Sequence, residues 1–167
     1  GGDVKAILGT ATRRERKQLR VEDTAFALIQ LKNGIDGALV CDELTEHYRI
    51  EIELTFQHAV IRLGGGLGEG TWISQPRAVE KGWWYELVKE EMPEPAWKEV
   101  RQVRAARDLV ECIQKDRQPR ANGYDGRAAV EMIMAIYESQ RRGNQWVELP
   151  LTRPERMIDV LRKEGFF

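Results

Sequence analysis

The sequence predicts an α+β domain: a mostly antiparallel, open-faced sheet with helices packed on one face. Three observations predict it. Across residues 47–56, Tyr48, Ile50, Ile52, Leu54 and Phe56 alternate with His47, Arg49, Glu51, Glu53 and Thr55. That is the period-two pattern of a strand with one apolar and one charged face. Asn33-Gly34 separates two apolar runs, a strong hairpin signal because both positions tolerate positive φ. In the second half, Val100, Val103, Ala106, Leu109, Val110 and Ile113, then Ala129, Val130, Ile133, Ile136 and Tyr137, recur at helical spacing.

The elements follow in order. Residues 4–8, or the charged 12–19, supply an opening strand. Residues 21–31 and 35–41 are the arms of the hairpin. The alternating strand 47–56 turns at Gln57-His58 into a partner over 59–63. Together these make a meander of about four to five strands. A period-two sheet needs its apolar face covered, and the two helices can cover it. Residues 64–95 read as a long irregular excursion with Gly-rich punctuation, carrying Trp72, Trp83, Trp84 and Tyr85. It has room for one or two strands, near 70–74 and 83–88. Loops of that length are uncommon unless they bind something. Helices are predicted over 97–115 and 126–142, the second capped by Asp125 at its start. Arg141 and Arg142 suit its C-terminal dipole, and Gly143 suits the left-handed position beyond it. Residues 146–149 return as a strand. Residues 154–164 form a tail helix opened by Pro154, whose missing N–H costs nothing there.

Composition bounds the function. The chain has 167 residues, 42% of them hydrophobic, which fits a single domain with a real core. The net charge is −1 with the signs interspersed, so nothing points to nucleic acid. The densest basic run, Arg13, Arg14, Arg16, Lys17 and Arg20, reads as a solvated loop or strand rather than a phosphate patch. Cys41 and Cys112 have no CxxC partner, which argues against structural zinc. Both sit in apolar patterns, so buried free thiols in a reducing compartment are expected. No signal peptide, membrane-spanning run or lipidation motif is visible, and the expectation is a cytoplasmic protein with no membrane partner. The Gly-Gly-Asp start without methionine reads as a cloning remnant or an internal cut, and the expectation is a piece excised from a longer protein.

The motifs that invite chemistry are few. Residues 64–70 (GGGLGEG) are followed by the β-like Thr71-Trp72-Ile73-Ser74. A phosphate loop needs a helix N-terminus there, so the run reads as a flexible turn. His47 and His58 are the two histidines. Neither has a metal-ligand partner, and no serine or cysteine stands in a nucleophile elbow, so a hydrolase is discounted. His47, beside Tyr48 and below Asp42, Glu43 and Glu46, belongs to a cluster able to hydrogen-bond a polyol, although a polar strand edge explains the pattern better. Glu51 and Glu53 share a face with Arg49, and a cross-strand charge ladder accounts for them better than an acid–base pair. Trp83-Trp84-Tyr85 is a candidate for stacking on a sugar. Packing the loop to the core or to a subunit is the commoner role of such a cluster.

The ordered set VEDTAFALIQLKNGIDGALV, HYRIEIELTFQHAVIRL and AIYESQRRGNQWVELPL resembles the C-terminal domain of the Gfo/Idh/MocA oxidoreductases, from about Val21 to Leu151. The first looks like the family's domain-opening hairpin, with its acidic-Asp-Thr-Ala start. The second is similar to its central strand pair, with Gln57-His58 replacing the usual glycine turn. The third looks like its closing signature. The resemblance implies a nicotinamide-dependent sugar or polyol dehydrogenase. Its NAD or NADP site and its catalytic residues would lie in an N-terminal Rossmann domain missing from this chain. No Glu-Lys-Pro and no Asp-x-Gly-x-His motif maps onto this sequence, so no catalytic, cofactor-binding or metal residue is assigned here. The resemblance also implies an open sheet face that pairs subunits and helps close a small-molecule pocket. The charged face of Arg49, Glu51 and Glu53 suits such a sheet-to-sheet contact. In some members an aromatic at the start of the central strand lies against substrate, and Tyr48 matches that position. Tyr48, His47 and Trp83 are therefore the expected substrate-binding residues. The expectation is one C-terminal substrate-binding and oligomerisation domain over 1–167, not catalytic alone. The alternative is a stand-alone, non-enzymatic assembly or ligand-binding module with the same fold.

Overall fold

The computed structural model describes residues 3–44, 50–57, 59–65, 72–78, 85–91, 100–152 and 155–166. They form two compact units, one of Gly1–Leu44 with Ala105–Phe167 and one of Thr45–Arg104.

In the first unit β1 (Val4–Thr12), β2 (Thr24–Leu31), β3 (Asp36–Asp42) and β8 (Val147–Glu148) form an antiparallel sheet in the order β3-β2-β1-β8. The hairpin between β2 and β3 is the expected one. Leu31 N–H donates to Ile35 O, Gly34 N–H to Leu31 O, and Gly34 takes φ +85°. β1 runs on to Thr12, so the alternative strand over 12–19 is not formed. Residues 13–20 instead make a loop that closes on Asp23, whose carboxylate satisfies the loop's backbone donors.

α2 (Gly123–Arg141) packs on β1. Ile7, Ala11 and Ala27 of the sheet meet Ala135, Ile136 and Tyr137 of α2, and Met157 and Leu161 of α3 (Met157–Lys163) complete this core with Val147. Each large apolar side chain buried here stabilises the unit by about 1.5–3 kcal/mol. The cap of α2 corrects the sequence expectation. Asn122, not Asp125, is the N-cap: Asn122 Oδ1 accepts from Tyr124 N at 2.8 Å, and Asp125 Oδ2 accepts from Asn122 N at 2.8 Å. Asp125 closes a capping box from the third helical position, a role its sequence neighbours alone do not separate from capping. Gly143 holds the left-handed position expected of it, at φ +75°. α3 begins at Met157, after the expected start at Pro154, which lies outside the described residues. Its inward pair, Met157 and Leu161, is one helical turn apart.

α1 (Arg101–Lys115) has a polar side tied to the loop that follows it. Arg117 Nη2 donates to Asp108 at 2.7 Å, and Arg120 N donates to the same carboxylate at 3.2 Å. The Arg117 guanidinium, followed by the Arg120 N–H, holds the Asp108 carboxyl below its ordinary range. Leu109, Val110 and Ile113 are exposed. The sequence expects this stripe to cover a sheet.

The second unit contains β4 (Ile50–Thr55), β5 (Val60–Gly65), β6 (Trp72–Ala78) and β7 (Tyr85–Glu91), antiparallel in chain order. Where the sequence predicts a meander of four to five strands, the described residues build two four-stranded sheets. The excursion supplies the extra strands. Pro76 disguises β6, but it lies past the β5 ladder, which ends at Ser74, where a missing donor is tolerated. The strict alternation of β4 is real, and Ile50, Ile52, Leu54 and Phe56 do lie on one side, but all four are exposed rather than covered. On the other side Glu53 pairs with Arg62 of β5, the cross-strand ladder expected of it.

Candidate functional site

The predicted site residues His47, Tyr48 and Trp83 lie outside the described residues, as do His58 and Trp84. The candidate surface within the described chain is the face of the first sheet that α2 leaves open. β1 and β2 alternate across it. Ile7, Ala11, Ala25, Ala27 and Ile29 face α2. The cross-strand rows Leu8–Leu28–Ala38 and Thr10–Phe26–Val40 face away. The open face is therefore almost wholly apolar, and Leu8, Thr10, Phe26, Leu28, Ala38 and Val40 line a shallow depression in it. Val40 is 70% exposed and Leu28 49%. The sequence reading did not single out this face. The signal was present, since β2 (TAFALIQL) is apolar at nearly every position. An unbroken apolar strand is one that expects cover on both sides.

The loop 13–20 borders this face. The Arg14 guanidinium stacks 5.7 Å above the Phe26 ring, in the range of a cation–π contact. The loop is built around Asp23, which is 2% exposed. Its carboxylate accepts the backbone N–H groups of Arg14, Glu15 and Arg16, each at 3.0 Å, and the Thr24 hydroxyl at 3.1 Å. Burial alone would raise the Asp23 carboxyl, but these donors outweigh it and hold it at about 2. Arg13 donates to Leu19 O and Arg16 to Glu43 O. Two side chains of the basic run are thus engaged by backbone carbonyls, Arg13 within the loop and Arg16 at Glu43 beyond it.

The neighbouring Glu22 turns inward, and the Tyr137 hydroxyl donates to its Oε1 at 2.5 Å. Burial, then this bond to Glu22, push the Tyr137 hydroxyl well above the usual phenol range, so it stays a donor. The run Glu22-Asp23-Thr24 therefore has a physical role throughout: Glu22 ties β2 to α2, Asp23 closes the loop, and Thr24 supports Asp23.

At the far end of α2, Glu138 is 1% exposed. Arg141 reaches it at 2.7 and 2.9 Å, and Arg142 at 2.6 Å. The Arg141 bonds, then those of Arg142, hold its carboxyl at about 2 against the opposing effect of burial. Beside it a groove runs between α2, β8 and residues 149–152, with Arg142, Trp146 and Glu148 on its walls.

No cluster of three or more potential metal ligands exists among the described residues. β5 ends at Gly65, and the next described element is the strand β6 from Trp72; the rest of the Gly-rich run, 66–70, lies outside the described residues. No described helix is long and apolar enough to cross a membrane.

Residues 3–149 match the family described as the oxidoreductase family, C-terminal alpha/beta domain. The chain belongs to the Gfo/Idh/MocA oxidoreductase family. Solved structures agree on the fold. The WlbA dehydrogenase from Bordetella pertussis, in complex with NADH and UDP-GlcNAcA, is 23% identical with a TM-score of 0.55, covering 90% of this chain and 41% of its own. The aldose-aldose oxidoreductase from Caulobacter crescentus, complexed with glycerol, is 22% identical with a TM-score of 0.66, over 89% and 42%. Levoglucosan dehydrogenase, in complex with NADH and L-sorbose, is 16% identical with a TM-score of 0.67, over 89% and 45%. The chain thus spans less than half the length of these structures. No curated protein matches the sequence. The match over 3–149 takes in both described sheets, α2 and the closing strand β8 (Val147–Glu148).

Proposed function

We propose that residues 1–167 act as one C-terminal, substrate-binding and subunit-pairing domain of an NAD(P)-dependent oxidoreductase. The whole enzyme moves hydride between a nicotinamide and a sugar- or polyol-like hydroxyl. The observation that carries this reading is the family match over 3–149. The ligands of the similar structures support the substrate class: a nucleotide sugar acid, glycerol and L-sorbose, with NADH beside two of them. In this reading the cofactor and the catalytic groups come from a Rossmann domain ahead of Gly1, and this chain alone binds no nucleotide. Tyr48, His47 and Trp83 are the substrate-binding residues of this reading, Tyr48 because it matches the aromatic that lies against substrate in some members of the family. A second copy covers the open face of the first sheet, which supplies the cover that the doubly apolar β2 needs.

The test begins with the native reading frame upstream of Gly1. A strand, a GxGxxG turn opening a helix, and a later Glu-Lys-Pro are the expected finding. A start codon close to Gly1 overturns the oxidoreductase reading and leaves a stand-alone binding or assembly module. The encoded protein is then assayed for NAD(P)-dependent oxidation of sugars and polyols. Tyr48→Ala is expected to raise KM about tenfold, the loss of roughly 1.4 kcal/mol of binding. An unchanged KM removes Tyr48 from the pocket.

A further inference from the structure

We draw no further inference here: the strongest candidate, the groove between the end of α2, β8 and residues 149–152, has its one lining guanidinium, Arg142, tied to the buried Glu138 and opposed by Glu148 and the carbonyl end of the helix, so its charges select no class of ligand and nothing in the structure shows an occupant.

Discussion

Ser139 Oγ accepts the backbone N–H of Gly9 at 2.9 Å, and its hydroxyl donates to Gln145 O at 2.6 Å. One residue on, Gln140 Oε1 accepts from Ala11 N at 2.6 Å. β8 pairs with β1 at Ala6 and Ile7, so the β1 edge at Gly9 and Ala11 finds its acceptors on a helix. The last turn of α2 thus stands where a longer strand would otherwise be needed, and this fixes the helix on the sheet.

Replacing Ser139 by alanine strands a buried N–H group. The expected loss is about 1–3 kcal/mol, seen as a lower urea midpoint with unchanged slope. An unchanged midpoint would mean that Gly9 finds another acceptor and that Ser139 is not what anchors α2.

The same approach explains Gly9. A Cβ there would sit 2.8 Å from Phe26 O and 3.1 Å from Ile136 Cγ2. The obstacle on one side is backbone, which cannot swing away. Gly9→Ala is expected to cost about 1–3 kcal/mol of overpacking. Gly37 has open space around its Cβ direction, so Gly37→Ala serves as the control and should leave the melting temperature nearly unchanged. Equal effects at the two glycines would refute the close contact.

What the sequence made legible was local. The Asn33-Gly34 turn, the alternation of β4, the helical spacing of α2 and the Gly143 terminator each depend on near neighbours, and each stands in the structure. What it hid depends on contacts distant in the chain. Asp23 looks like any acidic residue until the loop 13–20 folds onto it. Cys41 lies in an apolar pattern and was expected inside, yet it is exposed because β3 is the edge strand and no described element packs on it. The open apolar face follows from the same limit. Alternation says which residues share a face, but not which face a helix will cover.

Two buried carboxylates set a pH dependence. Asp23 and Glu138 are both held at about 2, below their ordinary values of 3.8 and 4.5. A depressed acid contributes stability that is complete above its unfolded value and is lost as pH falls through the folded one. Unfolding free energy is therefore expected to be flat above about pH 5 and to fall steadily between about pH 4.5 and pH 2. Glu138→Gln should lower stability at neutral pH and flatten that fall. A Glu138→Gln protein with the slope of the parent would show that Arg141 and Arg142 do not discriminate the charged form.

The two thiols should separate cleanly by reactivity. Cys41 is exposed, whereas Cys112 is 5% exposed with Arg117 Nη1 at 3.0 Å from its sulfur. A thiol reagent under native conditions is expected to modify one group quickly and the second only at the rate of local opening. Cys41→Ser removes the fast phase. Two equally fast thiols would mean that the Asp108–Arg117 clasp does not hold the end of α1.

In the proposed reading a second copy lies on the open face of the first sheet, and Val40 offers the sharpest probe of it. At 70% exposed, Val40 contributes little to the isolated fold, so Val40→Asp should change its stability by no more than about 0.5 kcal/mol. If a second copy lies on this face, the same change buries an unpaired carboxylate in an apolar contact, a cost of several kcal/mol. The expected result in light scattering is an oligomer for the parent and a folded monomer for Val40→Asp. The charge-reversing change Glu53→Lys on β4 separates this face from the charged one. Dissociation by Glu53→Lys and not by Val40→Asp would move the interface to the second sheet. A parent that stays monomeric at high concentration would leave the apolar rows of β2 without the partner their sequence calls for.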